Sequence, residues 1–293
     1  MAERRRSSGF PRGARLLAVA ALMASALPAW SIDLAKAYEL ALAQDKLGVV
    51  LMHGKQGGGP RDSSLDVLHK KLQEAGMVVI KPEMPWSFNR FIDGNWAKAM
   101  DEIKLHVAKA KEAGANRVIL MGHSLGSPAA MSYAARHADV AAIALLAPGH
   151  IPYYYSLCIP FSPIRMCAVK EGVEYARKEM EAGNGDKKQA LTDINQGRRN
   201  VVWMTPRDYL SYFEPDSDAE MAMTAGKIPA HIPVLWVIGD KDYLIREGRA
   251  YVFDKLPPNP KSQYLEVSAN HLTTPAVAAD QIVSWIKLAV AAP

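Results

Sequence analysis

The sequence predicts an α/β fold, a mostly parallel sheet with helices on both faces. Short apolar runs alternate with segments of helical periodicity over most of the chain, the pattern of consecutive βαβ units. The apolar runs are continuous, as in strands covered on both sides. Polar residues able to do chemistry fall just past the expected strand ends, where open parallel sheets build their sites. At 293 residues, with 49% hydrophobic and 22% charged side chains, the chain has the size and composition of one large globular domain.

Residues 1–31 are a different material. Arg4, Arg5, Arg6, Arg12 and Arg15 precede the apolar run Leu16 to Leu27, and Leu27-Pro28-Ala29-Trp30-Ser31 follows. A basic start, an apolar stretch too short for a comfortable membrane span, and small residues near a cut site read as a secretory signal peptide. Cleavage is expected after Ser31, with Ala29 as the other site. The expected mature domain is therefore 32–293, periplasmic or secreted, with no stable membrane span once the signal is removed. The segment carries a charge of +4, so its removal takes the formal net charge from +5 to about +1. No basic stripe with interleaved aromatics remains, which argues against nucleic-acid binding.

From Ile32 to Lys46 the spacing of Leu34, Ala37, Tyr38, Ala41 and Leu42 predicts a packing helix. Leu47 to Met52 predicts a buried strand, running into the loop His53-Gly54-Lys55-Gln56-Gly57-Gly58-Gly59-Pro60. Neither glycine-rich phosphate pattern is present, so this loop is expected to turn its backbone N–H groups toward a nucleophile. Asp62 to Ala75 predicts a helix closed by Gly76, Met77 to Ile80 a strand, and Asn95 to Ala113 a helix closed by Gly114. Trp86, just past a strand, fits either a pocket wall or a packed loop. Arg117 to Met121 is the next strand, Ser127 to Arg136 a helix, and Val140 to Leu146 another strand.

The alternation stops at about residue 150 and resumes at about 231. The intervening segment, with Tyr153-Tyr154-Tyr155, a polar helix near Lys170 to Ala182 and a loose Gly183-Asn184-Gly185-Asp186, is expected to cap the site. It holds the chain's two cysteines, Cys158 and Cys167. In an exported protein the pair is expected to form a disulfide, and nothing around them suggests a zinc site. After the insertion come a strand at Pro233 to Ile238, a helix at Ile245 to Lys255, a strand at Gln263 to Val267 and a closing helix at Pro275 to Val290.

The chemistry centres on Gly122-His123-Ser124-Leu125-Gly126, a G-x-S-x-G pattern between a strand and a helix. A bare match would arise in a chain of this composition about one time in ten, so the strand before and helix after carry the argument. A serine hydroxyl needs a base, and the base an orienting acid. Of the eight histidines, His69, His106 and His137 fall in helices, His123 should point away from the hydroxyl, His53 more simply shapes its loop, and His150 and His231 flank the insertion. His271 lies just past the last strand. For the acid, Asp242 is preferred to Asp240 because it lies farther past its strand.

In His53-Gly54, the elbow at Ser124, Gly239-Asp240-Lys241-Asp242 and Asn270-His271, in that order, the chain resembles the α/β-hydrolase family from about Gly48 onward. The resemblance implies Ser124 as nucleophile, His271 as general base and then acid, and Asp242 as its orienter. It implies an oxyanion hole from the backbone N–H groups of Leu125 and Lys55, with Gln56 as the alternative second donor. It implies no metal or organic cofactor. The family often has two further strands ahead of the strand that leads into His-Gly; here that space holds a helix and little else, so a sheet shortened to about six strands is expected. Serine at 124 disfavours the relatives that use an aspartate there. The reading that follows is a serine hydrolase cleaving a small-molecule carboxylic ester, or a thioester or amide, through an acyl-enzyme. The alternative is a non-catalytic relative that binds an apolar ligand or a protein partner.

Overall fold

The computed structural model describes residues 46–58, 63–158, 167–195, 197–244 and 248–291. The expected signal peptide and nearly all of the expected helix Ile32 to Lys46 lie outside these residues.

Strands β1 (Leu47–Met52), β2 (Val78–Ile80), β3 (Arg117–Ser124), β4 (Ala142–Pro148), β7 (Val234–Gly239) and β8 (Gln263–Val267) form one six-stranded sheet in the order β2-β1-β3-β4-β7-β8. Every pairing is parallel. The apolar runs serve two cores because successive side chains point to opposite faces. Val49 and Leu51 pack with Ile119 and Met121 against helices α1 (Asp66–Glu74) and α10 (Ala279–Val290). Val50 and Met52 pack with Val118 and Leu120 against α2 (Trp96–Glu112) and α3 (Gly126–Arg136). Asn95 caps α2 by accepting the Lys98 N–H at 2.9 Å.

The chain leaves β1 for β2 on one side and returns as β3 on the other. Ligands bind beyond the carboxyl ends of the strands at such a switch point. Residues 53–58 after β1 and the turn after β3 meet there.

Two sequence expectations are corrected. The closing helix is two, α9 (Thr274–Val277) and α10, broken where Ala278 takes φ −88° and ψ 3°. The helix expected over Ile245 to Lys255 is, among the described residues, a short α8 (Gly248–Tyr251) followed by a 3-10 turn at Phe253–Lys255. Val252, fully buried, takes φ −135° there, so packing overrides the helical spacing. Between β4 and β7, where the alternation stops, the chain forms both helices and strands. Helices α4 (Pro152–Leu157), α5 (Cys167–Glu181), α6 (Pro206–Phe213) and α7 (Met221–Thr224) are joined by an antiparallel hairpin, β5 (Gln189–Asn195) and β6 (Arg198–Met204). In β6 the outward residues Val201 and Trp203 are themselves apolar and exposed, which erases the alternation by which a two-faced strand is read. Cys158 and Cys167 are joined in a disulfide that closes the α4–α5 connection.

Candidate active site

Ser124 ends β3 with φ 53°, a left-handed backbone that few side chains adopt, and α3 starts two residues later. The turn is possible because its surroundings are glycine. A side chain on Gly122 would overlap the Gly126 carbonyl. A Cβ on Gly149 would sit 2.7 Å from Ser124 Oγ, and one on Gly54 would sit 2.8 Å from Ser124 Cβ. The β1 loop and the end of β4 therefore press directly on the serine.

His271 Nε2 lies 3.0 Å from Ser124 Oγ, and His271 Nδ1 lies 2.7 Å from Asp242 Oδ2. The carboxylate only accepts, so Nδ1 carries the ring proton and Nε2 presents its lone pair to the serine hydroxyl. Asp242 is almost wholly buried, and its second oxygen accepts the Leu244 N–H at 3.1 Å. The loops after β7 and β8 are stitched together: Asp240 N–H donates to the Val267 carbonyl at 2.9 Å and Lys241 N–H to the Ala269 carbonyl at 3.0 Å. Asp240 takes no part in the relay; its carboxylate accepts from Ser268 Oγ and the Ala269 N–H, each at 3.1 Å. His123 points away from the hydroxyl and donates through Nε2 to the His271 carbonyl at 2.9 Å, bracing the loop that carries His271.

The β1 loop is anchored from below. His53 Nε2 accepts the Met84 N–H at 3.1 Å, leaving Nδ1 to donate to the Gly54 carbonyl at 2.7 Å. Trp86 is fully buried and donates to the His53 carbonyl at 2.8 Å, so it packs the loop and lines no pocket at Ser124. The Gln56 N–H donates to the Trp86 carbonyl at 2.8 Å. That bond occupies the Gln56 N–H. The Lys55 and Leu125 N–H groups make no hydrogen bond among the described residues, and both residues line the cleft at Ser124.

This cleft encloses about 430 Å³, part of it open to solvent. Ser124, Leu125 and His271 form its floor, Tyr155, Ile194, Asn195 and Gly197 come from the insertion, and Lys55, His150 and Leu244 complete it. His150 Nε2 donates to the Tyr212 carbonyl at 2.6 Å, while Nδ1 is buried without a partner. Burial first and the Lys55 ammonium second push the His150 ring well below its ordinary pKa; the Tyr212 carbonyl opposes them. Burial and the nearby Asp193 raise the Tyr155 phenol.

Sequence reasoning missed the contact made by the Lys55 side chain. Its ammonium, 6% exposed, lies 2.6 Å from Asp193 Oδ1 on β5 and donates to the Ile194 carbonyl at 3.2 Å. No local pattern links residues 138 positions apart. Among the described residues no group of three or more His, Cys, Asp or Glu is placed to hold a metal ion, and no helix is long and apolar enough to cross a membrane.

A parallel sheet of this order with its elbow serine defines an α/β-hydrolase. The family model described as serine aminopeptidase, S33, matches residues 91–274, and the chain belongs to that family. Comparison with curated proteins gave no match. Among solved structures the chain is similar to Est1E from Butyrivibrio proteoclasticus with ferulic acid bound, at 17% identity and a TM-score of 0.60, covering 85% of this chain and 91% of that one. It is similar to a carboxyl esterase from Bacillus coagulans, at 16% identity and a TM-score of 0.59, covering 84% and 91%. It is also similar to a monoacylglycerol lipase from Paleococcus ferrophilus, at 19% identity and a TM-score of 0.56, covering 83% and 94%. At these identities the likeness is one of fold.

Proposed function

We propose that this protein is a serine hydrolase that cleaves carboxylic esters of small molecules through an acyl-enzyme. The observation that carries the reading is the unbroken line from Asp242 through His271 to Ser124 beside two unpaired backbone N–H groups. His271 Nε2 takes the Ser124 proton as Oγ attacks the ester carbonyl. Asp242 stabilises the imidazolium, and the Leu125 and Lys55 N–H groups receive the oxyanion. Collapse expels the alcohol with the proton returned from Nε2. Water, deprotonated at the same nitrogen, then hydrolyses the acyl group.

Ester is favoured over the N-terminus of a peptide on charge grounds. An aminopeptidase must hold the substrate's α-ammonium, and no carboxylate is among the described residues lining the cleft. Asp193, a buried carboxylate of the insertion, is engaged by Lys55. Residues about 150–231 act in this reading as a cap over the crevice. The basic and apolar N-terminal stretch, with the Cys158–Cys167 bond, supports action in the periplasm or outside the cell.

A fluorophosphonate probe tests the reading. Labelling at Ser124, with turnover in a screen of short and long acyl esters, is expected. An unlabelled serine and no turnover of any ester would instead mean a binding-only relative.

A further inference from the structure

The insertion and the β1 loop meet through a polar contact that the catalytic scheme does not use. Lys55 Nζ is held by Asp193 Oδ1 and the Ile194 carbonyl, and it lies 5.2 Å from the centre of the Phe213 ring. One residue on, Gln56 Oε1 accepts the Asn195 amide at 2.9 Å. Asp193 is 1% exposed, so the ion pair is shut off from water. The two residues gripped by the hairpin are the two whose N–H groups competed for the oxyanion hole. Below them, the Gln56 N–H is fixed on the Trp86 carbonyl. The peptide that offers the Lys55 N–H is held at its Gly54 carbonyl, which accepts from His53 Nδ1 and the Gly57 N–H, and the Lys55 side chain is held by the hairpin.

We propose that Asp193 is a positioning residue for the proposed ester hydrolysis: through Lys55 it sets the second oxyanion donor, so the hole is complete only while the β5–β6 hairpin is seated on the β1 loop. The inference rests on the serine-hydrolase reading. Its physical basis is the burial of the pair. In a dry site an ammonium without its carboxylate does not stay where it was, because desolvation without compensation is costly. Lys55 would withdraw toward solvent and turn its own peptide with it. A hole that loses one donor loses about 10²- to 10³-fold in turnover. Ile194, Asn195 and Gly197 of the same hairpin line the cleft. A substrate that presses on the hairpin therefore presses on the element that aims the donor.

The test uses the whole protein with p-nitrophenyl acetate, and counts active serines by the endpoint of fluorophosphonate labelling. Asp193→Ala is expected to lower kcat per labelled serine about 10²-fold with KM within about threefold, and Asp193→Glu to recover part of the loss. The double variant Lys55→Met with Asp193→Leu removes both buried charges, so it separates folding from positioning. It is expected to melt near the wild type and still show the low kcat. A double variant with near-wild-type kcat per labelled serine would overturn the proposal, as would single-variant losses that only track the number of labelled serines. A wild type that neither labels nor turns over would remove the hydrolase reading, and this inference with it.

Discussion

His271 Nδ1 lies 2.7 Å from Asp242 Oδ2, while Asp240, two residues earlier, gives its carboxylate to Ser268 and Ala269. The two acids of one short loop thus have different duties. Asp242 holds the imidazole tautomer, and Asp240 holds the β8 loop. Asp242→Asn should populate the wrong tautomer, a change worth about ten-thousand-fold in turnover in a serine protease. Asp240→Asn keeps an acceptor for the Ala269 N–H and can donate its amide to Ser268 Oγ, and it is expected to cost less than about tenfold, for loop slackening. Steady-state kcat of the two variants decides it; equal losses would break the assignment.

Ser124→Ala is expected to abolish ester turnover and probe labelling. The fold should survive, because the elbow is set by Gly122, Gly126 and Gly54 and no sheet contact depends on the hydroxyl. Removing a Cβ-hydroxyl at φ 53° leaves the same strained backbone, so the melting temperature should move by only a few degrees. Circular dichroism and a thermal melt check the second half of this expectation.

The strands carrying the site were legible for a physical reason. Gln263–Val267 and Val234–Gly239 stand where read, within a residue, because a run bounded by Pro or Ser on one side and Gly-Asp or Asn-His on the other leaves little choice of register. The order Ser124, Asp242, His271 could be read because each follows a strand, and the parallel sheet brings all such ends to one edge. The insertion was not legible in the same way. Its hairpin has apolar residues on both faces of β6, and its contact with the β1 loop, Lys55 to Asp193, is an ion pair between distant segments with no periodicity to announce it. That the Trp86 carbonyl occupies the Gln56 N–H was visible only in the structure.

The Cys158–Cys167 bond joins the residue after α4 to the first residue of α5. In the chain-entropy account, a loop of this size restrains the unfolded chain by roughly 2.5–3 kcal/mol. Reduction, or the double change Cys158→Ser with Cys167→Ser, should lower the unfolding free energy by about that amount. Non-reducing mass spectrometry of protein recovered from an oxidising compartment should find the two peptides linked; two alkylatable thiols there would refute the bridge.

The last prediction concerns acid. His150 is held neutral by burial, with the Lys55 ammonium as the second cause and the Tyr212 carbonyl opposing. Its ring faces Tyr155, Tyr212 and Phe213, and the Lys55 ammonium, itself paired with Asp193, is the charge that bears on it. The folded pKa lies below the unfolded value of about 6.5, so below that pH the unfolded chain binds a proton that the folded chain refuses. The favourable state is therefore fully present above about pH 6.5. Stability falls as pH drops from there toward the folded pKa, by up to about 1.4 kcal/mol per pH unit for this one group. His106 is lowered too, by burial and then Lys109, and adds to the slope in the same direction. His150→Gln keeps a donor for the Tyr212 carbonyl and carries no titrating ring, while His106 is common to both proteins. Urea unfolding at pH 7.5, 6.5, 6.0, 5.5 and 5.0 (about half-unit steps over the range where the unfolded imidazole gains its proton) should therefore give a shallower decline for His150→Gln, by close to one proton. Parallel declines would mean that His150 takes up its proton in the folded protein, and that the cleft beside Ser124 admits a charge the structure gives it no partner to meet.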